Sequence, residues 1–391
     1  MNILNMSSLN LKNKRVLIRL DLNVPINKQG KITSYARISA VLPTIKLAIN
    51  KNAKIIIMSH LGRPKKEIYN PIFSLKPVVV YLQKKIKGFK LKLVKNYLQG
   101  LSIKNSEIIV LENVRFNKGE TKNSTSLAQQ YAKLCDVFVM DAFATSHRKH
   151  SSTYAVIKFA KIACAGPLFI SEVKNLSRIL NNAQQPLISI VGGSKVSTKF
   201  KLLKKLAKIS QTLIVGGGIA NTFIAVNNQI GKSLHEPELI IKAKKMLKKY
   251  NICIPVDSKV INTLNKNIEI KKVNKIKKHE EIMDIGKQSI INILQKIKLA
   301  KTILWNGPVG VFENSNFCEG TKKIAQAIAK SKSFSTAGGG DTLSVIDMFN
   351  IKDKISYIST GGGAFLSFIE GKKLPAIYML EKKNNFFKTL N

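Results

Sequence analysis

Residues 334–349, FSTAGGGDTLSVIDMF, run from a β-rich stretch through three glycines and an aspartate into a helical pattern. The same plan recurs in LISIVGGSKVSTKFKLLKKL (187–206), LIVGGGIANTFIAV (213–226) and YISTGGGAFLSFIE (357–370). Glycine lets a backbone approach a phosphate closely, and the helix start behind it offers unpaired N–H groups and the positive end of a dipole. In an open parallel sheet such turns gather at the carboxyl edge of the strands, where ligands bind. One strand–glycine–helix turn could be a tight corner, but four in one half of a chain point to a phosphate-bearing ligand.

The rest of the sequence has the same alternation. In the first half, strand-like runs at 15–20, 54–58, 107–111 and 136–140 are separated by helical spacing at 36–50, 74–86 and 124–134. The second half adds strand-like runs at 186–191, 212–216, 302–306, 333–337 and 355–360. Alternation of this kind predicts α/β architecture with parallel sheets covered by helices. At 391 residues the chain is too long for one ordinary core, so two domains are expected. Residues 170–186 have helical spacing and read as a connector between the halves. The final segment, 371–391, keeps apolar residues and is expected to pack.

Composition sets the chemical alternatives. The formal charge is +43, from 65 Lys and Arg against 22 Asp and Glu. Such an excess raises nucleic-acid binding. Yet the lysines are spread over nearly every polar face, and no aromatic-interleaved RNA-binding motif is present in the linear sequence. Compositional drift explains the charge, and no specific nucleic-acid partner is expected. The four cysteines are scattered in or beside apolar runs, which reads as free thiols in a reducing compartment. The N-terminus lacks a signal layout and no apolar run reaches membrane-spanning length, so a cytoplasmic protein with no membrane partner is expected.

Arginine is the informative residue. There are seven against 58 lysines, all within the first 178 residues. Its planar fork binds carboxylate or phosphate bidentately, which lysine cannot copy. RVLIRLDLNVP carries Asp21 and Asn23 past the end of a strand, and MSHLGRP delivers His60 and Arg63 past another. LENVRF supplies Arg115, DAFATSHRKH supplies Arg148, and Arg37 opens the helix after the first loop. Together these describe a site for a small polyanion. His147 and His150 read as part of its basic lining rather than as metal ligands.

In the second half, Lys195 and Lys199 lie four apart, on one face of the expected helix. Asp341 either caps its helix or directs a carboxylate at Mg2+ beside phosphates. Named nucleotide motifs do not fit: Gly231-Lys232-Ser233 ends like a Walker A loop, but Val226 stands where its first glycine is needed.

With RVLIRLDLNVP, SHLGRP, LENVRF, DAFATSHRKHSS, AGPLFISE, GGSKVSTK, GGGIANTF, WNGPVGVFE, AGGGDT and STGGGA in this order, the chain resembles the phosphoglycerate kinase family over residues 5–385. The resemblance implies two doubly wound parallel-sheet (Rossmann-like) domains facing a cleft and joined by a helix. Their expected bounds are 1–169 for the 3-phosphoglycerate domain, 170–186 for the linker and 187–370 for the nucleotide domain, with 371–391 returning to the first. The implied reaction moves a phosphoryl group reversibly from 1,3-bisphosphoglycerate to Mg-ADP, giving 3-phosphoglycerate and ATP, by in-line transfer after hinge closure in a monomer.

By the same resemblance, Asp21, Leu22, Asn23, Arg37, His60, Leu61, Gly62, Arg63, Arg115 and Arg148 hold the glycerate. Lys199, Glu313, Gly339, Gly340, Asp341 and Thr342 hold the nucleotide, with Asp341 on magnesium. Arg37 and Lys199 meet the transferring group, helped by Lys195 and Gly361, Gly362 and Gly363. Ala144, Ser146, Leu22, Ser367 and Ala376 depart from the family pattern without removing a residue assigned to chemistry.

Overall fold

The computed structural model describes residues 2–27, 29–64 and 67–390, the side chains of 386–390 apart. The chain divides into two compact units, residues 1–174 with 373–391 and residues 175–372.

The N-terminal unit is built on six parallel strands: β1 (Arg15–Arg19), β2 (Lys54–Met58), β3 (Lys90–Val94), β4 (Glu107–Leu111), β5 (Val137–Met140) and β6 (Ile162–Ala165). Their order is β3-β4-β2-β1-β5-β6, so the winding reverses between β1 and β5. Ile, Val and Leu fill the central strands because both faces are covered. Val16, Ile18, Ile55, Ile57, Ile108 and Val110 join one core with Ile38, Val41 and Ile45. These last three lie on α1 (Ala36–Asn50), and α2 (Lys76–Lys85), α3 (Thr125–Lys133) and α4 (Val156–Phe159) complete the cover. Helix α5 (Pro167–Asn181) runs from this unit into the next.

The C-terminal unit has a second sheet: β7 (Leu187–Val191), β8 (Thr212–Val215), β9 (Ile252–Cys253), β13 (Thr302–Asn306), β14 (Phe334–Gly338) and β15 (Tyr357–Ser359). It is ordered β15-β14-β13-β7-β8-β9 and reverses between β7 and β13. Between β9 and β13 in sequence lies a three-stranded antiparallel sheet of β10 (Asp257–Asn262), β11 (Ile268–Lys272) and β12 (Glu280–Ile285). The helices are α6 (Val196–Ile209), α7 (Gly217–Ile224), α8 (Ile240–Lys249), α9 (Lys287–Leu299), α10 (Glu319–Lys330), α11 (Gly340–Met348) and α12 (Gly363–Ile369). The last helix, α13 (Pro375–Leu390), belongs to the N-terminal unit, where Leu374, Ile377 and Leu380 are buried and Asn384 donates to Asn2.

Apolar runs locate nine of these strands, but β3, β6, β9 and the antiparallel sheet do not stand out in the sequence. In β3, KLKLV, lysines alternate along a sheet edge, and β6, IACA, is short and rich in small side chains. All four cysteines are free thiols. Among the described residues no helix is long and apolar enough to cross a membrane.

Candidate active site

In the N-terminal unit the loops after β4, β2, β1 and β5 converge, because these four strands are neighbours in the sheet. Asp21, nearly buried after β1, pairs with Arg37 on α1 at 2.5 Å. Asn23 accepts from the Gly62 N–H at 2.7 Å, which joins the first two loops. Gly62 adopts a φ of +61°, and an added Cβ would lie 2.3 Å from the Phe73 ring. Arg115 donates to the Gly62 carbonyl, and Leu61 accepts from Asn113 at 2.7 Å. Leu22 is buried, with its N–H on Ser59. Arg63 remains exposed, and Arg148 bonds His147 at 3.1 Å.

Electrostatics describe this face better than its hydrogen bonds do. Burial lowers Arg115 to about 10, with Arg148, Arg19 and Arg63 adding to the shift. Arg148 is lowered by burial and by Arg63. His60 is pushed well below its usual value by burial and by Arg19, Arg115, Arg37 and Arg148, and His150 falls to about 4 for similar reasons. Each cation makes the next harder to hold, so the face is short of negative charge.

Arg19 has a place here that the sequence did not reveal. It is buried on β1, donates to Ser152 at 3.1 Å, and lies 3.2 Å from His60 Nδ1. A guanidinium only donates, so Nδ1 accepts and Nε2 carries the proton of the neutral ring. Ser152 in turn donates to buried Glu120 at 2.5 Å. An arginine inside the apolar run RVLIRL was the available signal.

Two departures from the family pattern meet in this unit. The Ser146 hydroxyl donates to the Phe143 carbonyl at 2.6 Å, and buried Ala376 donates its N–H to the Ser146 carbonyl at 3.2 Å. Ala144 lies between them in the short turn Phe143–Thr145, and Ser367 lies on α12 of the other unit.

In the C-terminal unit all four glycine loops lie at the carboxyl edge of the sheet, as the sequence predicts. They serve two purposes. Gly192 admits a neighbouring loop, since a Cβ there would lie 1.6 Å from the Pro308 carbonyl oxygen. Gly340 and Gly362 have open space where a Cβ would sit. A cavity of about 340 Å³ lies along this edge. Gly193, Gly217, Leu234, Phe312, Glu313 and Asp341 are among its lining residues. It offers glycine backbone, an apolar wall and the carboxylates of Glu281, Asp284, Glu313 and Asp341.

Lys199 donates to the Gly192 carbonyl at 2.7 Å; burial lowers its pKa while Asp341 opposes the shift. Lys195 does not share its helical face. It is the extended N-cap of α6, because the loop turns into helix only at Val196. Nor does Asp341 cap α11: Gly339 holds that position with a φ of +104°, and Asp341 follows in the first turn. Thr342 is buried, accepting from the Gly307 N–H at 2.8 Å and donating to the Gly338 carbonyl at 3.0 Å. The Gly361 N–H is taken by Ser359 at 3.1 Å, which leaves Gly362 and Gly363 at the opening of α12.

Asn306, which ends β13, was also missed. Its amide donates to the Gly338 carbonyl at 2.6 Å, and its buried Oδ1 has no hydrogen-bond partner among the described residues. A polar residue closing the apolar run TILWN was the signal.

Two doubly wound α/β units, one with an arginine-lined face and one with a glycine-looped strand edge, fit the class of phosphotransferases. Comparisons with known proteins narrow the class. The phosphoglycerate kinase family profile matches residues 6–372. The phosphoglycerate kinase of Buchnera aphidicola subsp. Schizaphis graminum (strain Sg) is 60% identical over 99% of this chain and 100% of its own length. The solved structure of phosphoglycerate kinase from Coxiella burnetii superposes with a TM-score of 0.92 at 49% identity, covering 97% of this chain and 99% of that one. That from Pyrococcus horikoshii OT3 gives 0.83 at 29% identity, covering 98% and 100%. The chain belongs to the phosphoglycerate kinase family and is a phosphotransferase of glycolysis.

Proposed function

We propose that the N-terminal unit takes the phosphorylated acid and the C-terminal unit takes the nucleotide in the phosphoglycerate kinase reaction. That reaction moves a phosphoryl group reversibly from 1,3-bisphosphoglycerate to ADP, yielding 3-phosphoglycerate and ATP. The observation that carries this reading is the cluster of Arg19, Arg37, Arg115 and Arg148 around His60, with Arg63 beside Arg115 and Arg148, whose crowding of like charge a polyanion would relieve. Arginine forks grip phosphate and carboxylate, while Asp21 and Asn23 accept from a hydroxyl.

On the nucleotide side, the apolar wall suits a base and Glu313 suits ribose hydroxyls. The open backbone at Gly340, next to the left-handed Gly339, suits phosphates. Asp341 fits a magnesium ion shared with those phosphates, since Mg2+ commonly takes one or two carboxylates together with substrate oxygens and water. Among the described residues no group of three or more His, Cys, Asp and Glu gathers that could hold a metal alone, which agrees with an ion brought by the nucleotide. When bound, the ion would neutralise phosphate charge.

In the forward step the bond from the acyl oxygen to phosphorus breaks as a bond from an ADP β-phosphate oxygen forms. The attacking ADP oxygen is already ionised near neutral pH and the acyl oxygen leaves as a carboxylate, so no general base or acid is needed. Arg37 and Lys199 meet the charge on the transferring group, supported by Lys195 and by the N–H groups of Gly362 and Gly363. The acid and the nucleotide must meet for in-line transfer, which is the reason to include hinge closure in the cycle. We read the enzyme as a cytoplasmic monomer.

Calorimetric titration tests the division of ligands. Arg115→Ala is expected to lose 3-phosphoglycerate binding and keep ADP binding, and Asp341→Asn is expected to weaken Mg-ADP alone. Equal loss of both ligands in either variant would overturn the assignment.

A further inference from the structure

The linear sequence shows no aromatic-interleaved basic motif, but the fold assembles one in the N-terminal unit. Tyr35 at the start of α1, Tyr69 in the following loop region and Tyr81 on α2 line a single groove of about 660 Å³. Tyr35 and Tyr81 stack with ring centroids 4.2 Å apart and planes within 21°. Tyr35 and Tyr69 stay 42% and 45% exposed, although such rings usually bury more of their surface. Val80, 53% exposed, lies on the same groove.

The charge on this groove has one sign. Lys31, Lys76 and Lys84 line it, and none of its lining residues is acidic. Lys95 lies 4.4 Å from the Tyr69 ring centre and Lys85 lies 5.6 Å from that of Tyr81. Both lysines are exposed, so they can swing from a ring face to a phosphate.

We infer that this groove binds single-stranded nucleic acid without sequence preference. Bases would stack on the tyrosines, and the surrounding lysines would meet the backbone phosphates. Part-exposed rings interleaved with lysines that no carboxylate in the groove neutralises are what such recognition requires, because every base has a face to stack. An anionic membrane surface would engage the lysines and the exposed Val80 but would leave the stacked Tyr35–Tyr81 pair without a partner. The groove differs from the general lysine shell, which attracts any polyanion in proportion to charge alone.

The test is fluorescence anisotropy of labelled oligouridylate with the full chain, at several salt concentrations. Tyr35→Ala and Tyr69→Ala are each expected to weaken binding about tenfold, the loss of roughly one stacked base. Tyr35→Trp is expected to restore it. Replacing Lys244, Lys245 and Lys248 on α8 by Gln removes three charges far along the chain, and should leave that tenfold step between wild type and Tyr35→Ala intact. Circular dichroism confirms that the variants are folded. Unchanged affinity in both tyrosine variants would overturn the inference in favour of diffuse charge. So would equal binding of inorganic polyphosphate or of an acidic peptide at matched charge.

Discussion

The two units are equipped for anions by different means. The N-terminal unit concentrates cationic side chains after four neighbouring strands, to the point that burial and like charge depress His60, Arg115 and Arg148. The C-terminal unit brings few charges and relies on backbone, with glycine loops, a helix start at Gly340 and one part-buried lysine, Lys199. Side-chain forks suit an acid that must be told from others by its carboxylate and phosphate. Backbone N–H groups suit phosphates whose identity is fixed elsewhere in the ligand. The first unit should therefore be sensitive to charge and pH, and the second to backbone shape.

The largest expected effect is on shape. Gly192→Ala would put a methyl 1.6 Å from the Pro308 carbonyl oxygen, so the loop after β7 must move. We expect a loss of about 4 kcal/mol or more in a denaturant titration, together with lost ADP binding. Next comes the buried network of the other unit. Arg19→Met removes the cation between His60 and Glu120 and should cost about 3 kcal/mol, with weakened 3-phosphoglycerate binding.

Dependence on pH is smaller and has two signs in the N-terminal unit. His150 falls to about 4 from an ordinary 6.5. Between these values the unfolded chain holds a proton that the folded chain refuses, so stability is full above the upper value and lost as pH falls. Asp141, buried behind Thr44, rises from 3.8 to about 7. There the folded chain keeps a proton that the unfolded chain releases, so this contribution is lost as pH rises through 7. The two windows overlap and oppose each other, so between about pH 4 and 6.5 melting curves should tilt downward with rising pH in His150→Gln, where Asp141 acts alone, and upward in Asp141→Asn, where His150 acts alone. Parallel shifts in both variants would contradict the two signs. The smallest effect is expected at Gly340→Ala, where nothing lies within 4 Å of the new methyl. Stability should change by no more than roughly 1 kcal/mol, and any larger change should appear in ADP affinity.

Much of the fold was legible in the sequence, because central parallel strands are uniform apolar runs and the candidate site residues follow their ends. α1 falls at 36–50, where the spacing placed it, and all four glycine loops lie at one sheet edge. What was missed depends on neighbours distant in the chain. Arg19 is meaningful only beside His60 and Ser152. Lys195 looked helical by spacing, but the loop after β7 holds it extended. β10–β12 mix charged and polar residues with apolar ones and are only partly buried, so they lack the apolar signature of a core strand. The groove of Tyr35, Tyr69 and Tyr81 exists only once α1 and α2 pack.

The most direct measurement is a coupled assay of ATP formation from 1,3-bisphosphoglycerate and ADP. It should compare the wild-type chain with Arg37→Ala and Lys199→Ala under saturating substrates. The wild-type chain should turn over, and each variant should lose at least about a hundredfold in kcat, the effect of removing a group that meets transition-state charge. Full kcat in both variants would contradict the account that one charge from each unit meets the transferring phosphoryl group.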